Sequence, residues 1–327
     1  KIMKKTYGIA YKGSKNSIAK EIIDLLPKAE NFYDLFMGGG AITHCACLSN
    51  KYKNIYANDI NKLITDTFRG AVEGKYKNET RWINKETFKE EKDKDGYIKY
   101  CWSFGNNGKS YLYNSTIEKW KECLWYARVL KDYSIAREMG IEGDLSRKDV
   151  IEHMQEYKEK YIKYLFKMNK ENKIDNYIKN SKQMERLQSL ERLQSLESLE
   201  RLERLERLER LQRLENLEIT NLDYKAIEIK ANSVIYCDIP YVNTHNEQYN
   251  KESINFDYKT FFEWAYKQKE PVFISSREIE DTRFKSIFQK AKRNLVNIFQ
   301  NSTKYFIENI YVADYNYEKY KQIKLFN

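Results

Sequence analysis

The sequence has no apolar run approaching the roughly 20 residues of a membrane span, and its N-terminus lacks the apolar core of a signal peptide. These absences point to a cytoplasmic protein. Five cysteines, Cys45, Cys47, Cys101, Cys123 and Cys237, make an odd number without paired spacing, and His44, His153 and His245 are scattered. That pattern argues against a disulfide framework. His44 to Cys47 is a tempting cluster, but its spacing matches no zinc pattern, and packing inside a buried helix is the simpler account. Reduced thiols and no metal are the expectation. The nucleotide fingerprints are also incomplete. Gly38-Gly39-Gly40 has Thr43 where G-x-G-x-x-G needs its third glycine, and no Gly-Lys-Ser/Thr follows to make a phosphate loop.

What is present supports a globular chain. Its 327 residues suffice for one large domain or two smaller ones, and 41% apolar with 14% aromatic residues argues for a real core. Lys and Arg number 58 against 48 Asp and Glu, a net charge of +10 that permits a polyanionic partner without requiring one.

Val234 to Cys237 is a short apolar run, the pattern of a strand buried on both faces. It ends in Asp238-Ile239-Pro240-Tyr241, where Pro240 has no amide to give a ladder. An acid and an aromatic are thus presented at a strand's C-terminal edge, where open α/β sheets bind ligands. That corner suits methylation of a planar amino group, whose lone pair is delocalised into its ring. Asp238 and the Ile239 carbonyl could accept the amine's two hydrogens and free the lone pair, while Tyr241 stacks on the base. Taken alone, the tetrapeptide reads more simply as a strand end and Pro turn with a solvated acid.

Two further strand ends carry the same logic. Asn31 to Phe36, the glycine turn and a helical Ala41 to Leu48 form a strand–turn–helix unit of a nucleotide-binding sheet. Asn54 to Ala57 reads as a second strand ending at Asn58-Asp59. Asp59 stands about as far after the glycines as an acid that reaches a ribose hydroxyl. Before them, Tyr11 and Lys15 precede a helix whose apolar face is Ile18, Ile22, Ile23 and Leu26, closed by Pro27.

Ala10-Tyr-Lys-Gly-Ser-Lys15, Asp34-Leu-Phe-Met-Gly-Gly-Gly40, Ala57-Asn-Asp-Ile60 and Asp238-Ile-Pro-Tyr241 together resemble the Dam-type DNA adenine N6-methyltransferases, especially phage-borne members. The resemblance implies S-adenosylmethionine as cofactor. It places Tyr11, Lys15, Asp34, Phe36, Gly38, Gly39, Gly40, Asp59 and Asp238 around that cofactor, and Asp238, Ile239, Pro240 and Tyr241 at the reacting amine. One position departs from the family's usual Asp-Pro-Pro-Tyr: Ile239 replaces the first proline. The carbonyl survives that change, but the fixed φ of proline is lost.

Residues 78–180 differ in character. Trp82, Trp102, Trp120 and Trp125 sit among lysines and tyrosines, and helical patterns dominate, as in Val150 to Met168. Between them Phe104 to Tyr113 is polar and turn-rich, with Asn106, Asn107, Lys109 and Tyr111 suited to probing DNA, an ordinary surface hairpin being the alternative. From Met184 to Leu217 an apolar residue recurs at every third position. On an α-helix that stripe slips about 60° per repeat, so it forms no heptad seam. We read it as a helix and as a tolerated surface connection whose length matters little to catalysis. Glu218 to Tyr224 reads as strand and turn, Val272 to Ser276 as a buried strand, and Glu308 to Val312 with Tyr320 to Phe326 as closing strands.

The expected fold is therefore α/β, a Rossmann-like doubly wound methyltransferase sheet with a mainly helical target-recognition insertion and a leucine triplet-repeat segment. The division is 1–77 with 218–327 for the cofactor-binding catalytic domain, 78–180 for the insertion and 181–217 for the repeat. The partner is double-stranded DNA, with no membrane and no metal, and the chain is expected to be a monomer unless the repeat mediates self-association. Two other readings stay open: a nicotinamide-dependent dehydrogenase, or a non-catalytic DNA-binding protein that oligomerises through the repeat.

Overall fold

Short β-branched and aromatic runs, punctuated by Asn and Gly turns, build the one extended sheet among the described residues. A computed structural model describes residues 6–172, 196–209, 211, 216–240, 256–293 and 305–321. The chain folds as two compact units, residues 1–77 with 204–327 and residues 78–203.

The first unit holds a seven-stranded sheet in the order β3-β2-β1-β4-β5-β7-β6. Its strands are β1 (Asn31–Asp34), β2 (Asn54–Asn58), β3 (Leu217–Thr220), β4 (Ser233–Asp238), β5 (Val272–Ser276), β6 (Phe284–Arg293) and β7 (Tyr305–Ala313). The five from β3 to β5 run parallel, and β7 and β6 close the edge antiparallel. Every residue of β1 is buried, and in β4 only Asp238 reaches intermediate exposure. Continuous burial is what parallel strands covered on both faces require. The chain order reverses between β1 and β4, so the crevice beyond their C-terminal ends is the sheet's switch point, where such folds bind ligands. Helices α1 (Ala19–Leu25) and α2 (Ala41–Cys47) follow the sequence expectation, and α3 (Lys62–Val72) comes after β2 where the sequence reading named no element. All seven residues of α2 are buried, His44 to Cys47 among them, and all five cysteines are free.

The second unit is helical around an aromatic core. Trp102, Trp120, Trp125, Tyr97, Tyr157 and Tyr161 are fully buried, and Trp82 meets the Trp102 ring edge-on at 4.8 Å between centroids. Short helices start at side-chain caps from Asn84, Asp95, Asn114 and Ser146, each satisfying a free backbone amide.

Three expectations change. The closing strand expected from Tyr320 to Phe326 does not start at Tyr320, which ends a helix, Asp314–Tyr320; residues 322–326 lie outside the described residues. Asp314 sits in the first turn of that helix, where a negative charge meets the helix dipole. Leu217 is not repeat but the first residue of β3.

The third change concerns the repeat itself. Residues 184–195 lie outside the described residues, but Glu197–Leu208 is a regular α-helix with Leu202, Leu205 and Leu208 at 2%, 0% and 0% exposure. A surface connection would not bury them. Over the two steps from Leu202 to Leu208 the stripe drifts only about 120°, which one helix face still accommodates. The helix is also fixed by polar contacts. Arg201 donates to the carbonyls of Cys101 and Ser103 at 3.1 and 2.6 Å within the second unit. Arg204 donates to the carbonyls of Tyr7 at 3.0 Å and of Gly8 and Ile9 at 3.3 Å within the first.

Candidate active site

Each parallel strand beside the switch point ends in an acid or just before one. β1 ends at Asp34, β4 at Asp238, and Asp59 follows β2. Register aligns Asp34 with Ala57 and Tyr236, and Asp238 with Ser275. The three carboxylates therefore reach one rim, and a single cavity there is lined by Asp34, Asp59 and Asp238.

The glycine turn forms another wall. Gly38 and Gly39 line the cavity, with the Tyr11 ring against Gly38. Gly40 does not line it. Gly40 caps α2 with φ +67°, and a Cβ there would lie 2.3 Å from the Phe68 ring, so only glycine fits. Asp59 does more than its spacing suggested: its Oδ2 accepts the Gly38 amide at 2.8 Å and its Oδ1 the Asn61 amide at 2.9 Å. It grips the turn as well as facing the cavity. The segment ahead of Tyr11 is equally tight. The Ile9 amide donates to the Gly39 carbonyl at 2.7 Å, and a Cβ on Gly8 would stand 2.3 Å from that same oxygen.

Lys15 and Asp238, far apart in sequence, meet directly. The Lys15 ammonium, on a side chain only 2% exposed, donates to both Asp238 oxygens at 2.5 and 2.7 Å. Ile239 and Pro240 line the cavity beside them. The Ile239 side chain is 2% exposed in the cluster with Leu35, Phe261 and Phe262. That packing is a physical reason for an aliphatic residue at this position. Tyr241 lies outside the described residues.

Asp34 is strongly perturbed. It is fully buried, and its carboxyl is pushed up to about 7, chiefly by burial, with further increments from the charges of Asp238 and Asp59; the Thr43 hydroxyl pulls it the other way. Thr43 donates to Oδ2 at 2.7 Å, while Oδ1 is buried with no hydrogen-bond partner among the described residues. A buried acceptor beside a cavity is incomplete without a donor.

The sequence matches the model of the family described as D12 class N6 adenine-specific DNA methyltransferase over residues 11–307. The chain belongs to that family. It is a DNA adenine methyltransferase, of a family that uses S-adenosylmethionine. No curated protein matches the chain. Membership sets aside the dehydrogenase and the non-catalytic reading.

Four residues of the second unit are placed differently from one another. Asn106 adopts φ +57° in a tight turn, and Lys109 is exposed. The Asn107 side chain accepts the amides of Lys109 and Ser110 at 2.8 and 3.0 Å, shaping the turn. Tyr111 is half-buried and donates its hydroxyl to the Ile83 carbonyl at 2.8 Å. Sequence reasoning missed Phe256, Ile60 and Tyr236 as cavity walls; no local pattern marks them. Among the described residues no group of three or more His, Cys, Asp or Glu side chains is placed to hold a metal, and no helix is long and apolar enough to cross a membrane.

Proposed function

We propose that the methyltransferase binds S-adenosylmethionine in this cavity and methylates an adenine flipped out of double-stranded DNA. The observation that carries this is Asp238, set at the rim of the cavity whose other walls are the Gly38-Gly39 turn, Asp34 and Asp59. The residues fit the cofactor. Asp34 Oδ1 supplies the buried acceptor that an α-ammonium would satisfy. Tyr11, Phe36 and the close backbone of Gly38 and Gly39 suit a flat or extended ligand, Lys15 flanks it, and Asp59 suits ribose hydroxyls. When bound, the cofactor supplies an electrophilic methyl on a sulfonium. Asp238 and the Ile239 carbonyl accept the adenine amine's hydrogens, which frees its lone pair, and Tyr241 stacks on the base. A base paired inside a duplex cannot present its amine to this rim, so it must leave the stack. Residues 78–180 read the target, with Asn106 and Lys109 nearest the DNA, Asn107 holding the turn that carries them, and Tyr111 bracing it.

Transfer of labelled methyl from S-adenosylmethionine to adenine in DNA tests the reading. A sharper test is Asp59→Ala, which removes both the ribose acceptor and the grip on Gly38. Cofactor affinity by calorimetry should fall about tenfold or more, the equivalent of one hydrogen bond to a charged group, with DNA affinity unchanged. Unaltered cofactor affinity would reduce Asp59 to a turn residue.

Asp34 gives a pH dependence. Its folded carboxyl lies above the ordinary value, so its contribution to the empty protein's stability is present in acid and is lost as pH rises through about 7. An ammonium ligand needs the ionised form. Cofactor affinity is therefore expected to weaken by up to about tenfold per unit as pH falls below about 7, with proton release on binding. Titrations across that range in buffers of different ionisation enthalpy read both. A flat profile would show that Asp34 does not meet the ligand's charge.

A further inference from the structure

The Lys15 ammonium stands between two acids, and the proposed chemistry uses one of them. Both Asp238 oxygens are engaged by Lys15, although Asp238 must turn an oxygen toward the substrate's amine. The second acid is Glu308, on β7, one residue past the stretch that matches the family. Its Oε1 lies 3.8 Å from the Lys15 ammonium. It accepts the Ser275 hydroxyl at 2.9 Å. The register explains the meeting: Asp238 pairs with Ser275 on β5, and Ser275 pairs with Ile310 on β7, two residues along from Glu308. Asp238 is 23% exposed toward the cavity, whereas the Glu308 side chain is fully buried. Glu308 does not line the cavity and so has no direct part with substrate.

A carboxylate buried this deeply is costly unless a cation and hydrogen-bond donors meet it. Lys15 and Ser275 supply both. We infer that Glu308 is a positioning residue that draws the Lys15 ammonium off Asp238 when the adenine amine arrives. The ammonium need travel only about 1 Å to make a normal charge-assisted hydrogen bond to Glu308. Ser275 holds Oε1 in place for it. The lysine stays paired throughout, and an Asp238 oxygen is released from the lysine toward the amine without any cation entering solvent. The inference rests on Asp238 being the acceptor of that amine.

The test uses the full chain, unmethylated plasmid DNA and labelled S-adenosylmethionine. Single-turnover methyl transfer is measured at saturating cofactor, with cofactor and DNA affinities measured separately. Glu308→Gln keeps the side chain's shape but weakens its hold on the ammonium. Its transfer rate should fall tenfold or more while both affinities stay within threefold. Ser275→Ala should lose about fivefold in the same step. A Glu308→Gln rate within threefold of wild type, or a loss of cofactor affinity matching the loss of rate, overturns the inference. Should Glu308→Gln not fold, Ser275→Ala decides: a fivefold loss with unchanged affinities supports it, and a rate within twofold overturns it. Asp238→Ala is run alongside. Full activity there sinks the underlying assignment of Asp238, whereas an inactive Asp238→Ala beside a fully active Glu308→Gln sinks only the role given to Glu308.

Discussion

Asp238→Ala is expected to cut methyl transfer by about 100-fold or more while the protein stays folded and still binds DNA. Removing one preorganised acceptor from a reacting centre typically costs that much. The carboxylate stands at the end of a strand buried along the rest of its length, so truncation at its rim leaves the sheet's core untouched. Its loss would strand the Lys15 ammonium were Asp238 the sole partner, but Glu308 at 3.8 Å remains within reach. The fold should therefore survive, as circular dichroism and a thermal melt would report. Asp238→Asn keeps an oxygen at the site but aims an amide donor at Lys15 or at the substrate amine. It should lose nearly as much rate. Wild-type turnover in either variant, measured with labelled methyl and DNA, would remove Asp238 from the mechanism.

The sheet was legible because its strands announce themselves. Val234 to Cys237 and Val272 to Ile274 are unbroken apolar runs, and each parallel strand at the switch point stops at a polar residue that becomes part of the rim. The cavity was legible through the same strand ends. What no local pattern carries is pairing across distance. Lys15 meets Asp238 across 223 positions of sequence, and Glu308 joins them only because β7 inserts antiparallel between β5 and β6. Asp59 was found by spacing alone, which located it at the cavity but could not show that it clasps the Gly38 amide. β6 escaped notice for another reason. Its Phe284-Lys-Ser-Ile-Phe-Gln-Lys-Ala-Lys-Arg293 alternates imperfectly, and a register shift between Ser286 and Phe288 breaks the period of two. The triplet repeat misled because its period was weighed over its whole length, whereas the helix that forms uses only a few turns of it.

Deleting Glu200–Leu208 is the variant that the repeat's sequence invites, and its outcome should be specific. The repeat can slide: Leu193, Leu196 and Leu199 would take the places of the buried Leu202, Leu205 and Leu208. Arg192 would replace Arg201, and Ser189 would replace Ser198, which pairs with the Tyr113 hydroxyl at 3.0 Å. Burial and the contacts of Ser198 and Arg201 are thus restored by the period itself, while Gln188 falls at the position of Glu197, which ion-pairs with Lys121. Arg204 is not restored, because Ser195 falls at its position. The guanidinium that holds the carbonyls of Tyr7, Gly8 and Ile9 is then gone. Those residues press the segment that leads to Tyr11, a wall of the proposed cofactor cavity, against Gly39, since the Ile9 amide bonds the Gly39 carbonyl. Hydrogen bonds from a charged group are worth about 1.5–3 kcal/mol. Cofactor affinity should accordingly fall by about 10- to 100-fold in the deletion and equally in Arg204→Ser, with the chain still folded. Adding Ser195→Arg to the deletion should bring the affinity back. Calorimetric titration of the three variants beside wild type reads all of this. A deletion that binds cofactor as wild type does would show the repeat to be a spacer, and a deletion that Ser195→Arg fails to rescue would show that the leucines, not the arginine, set the loop.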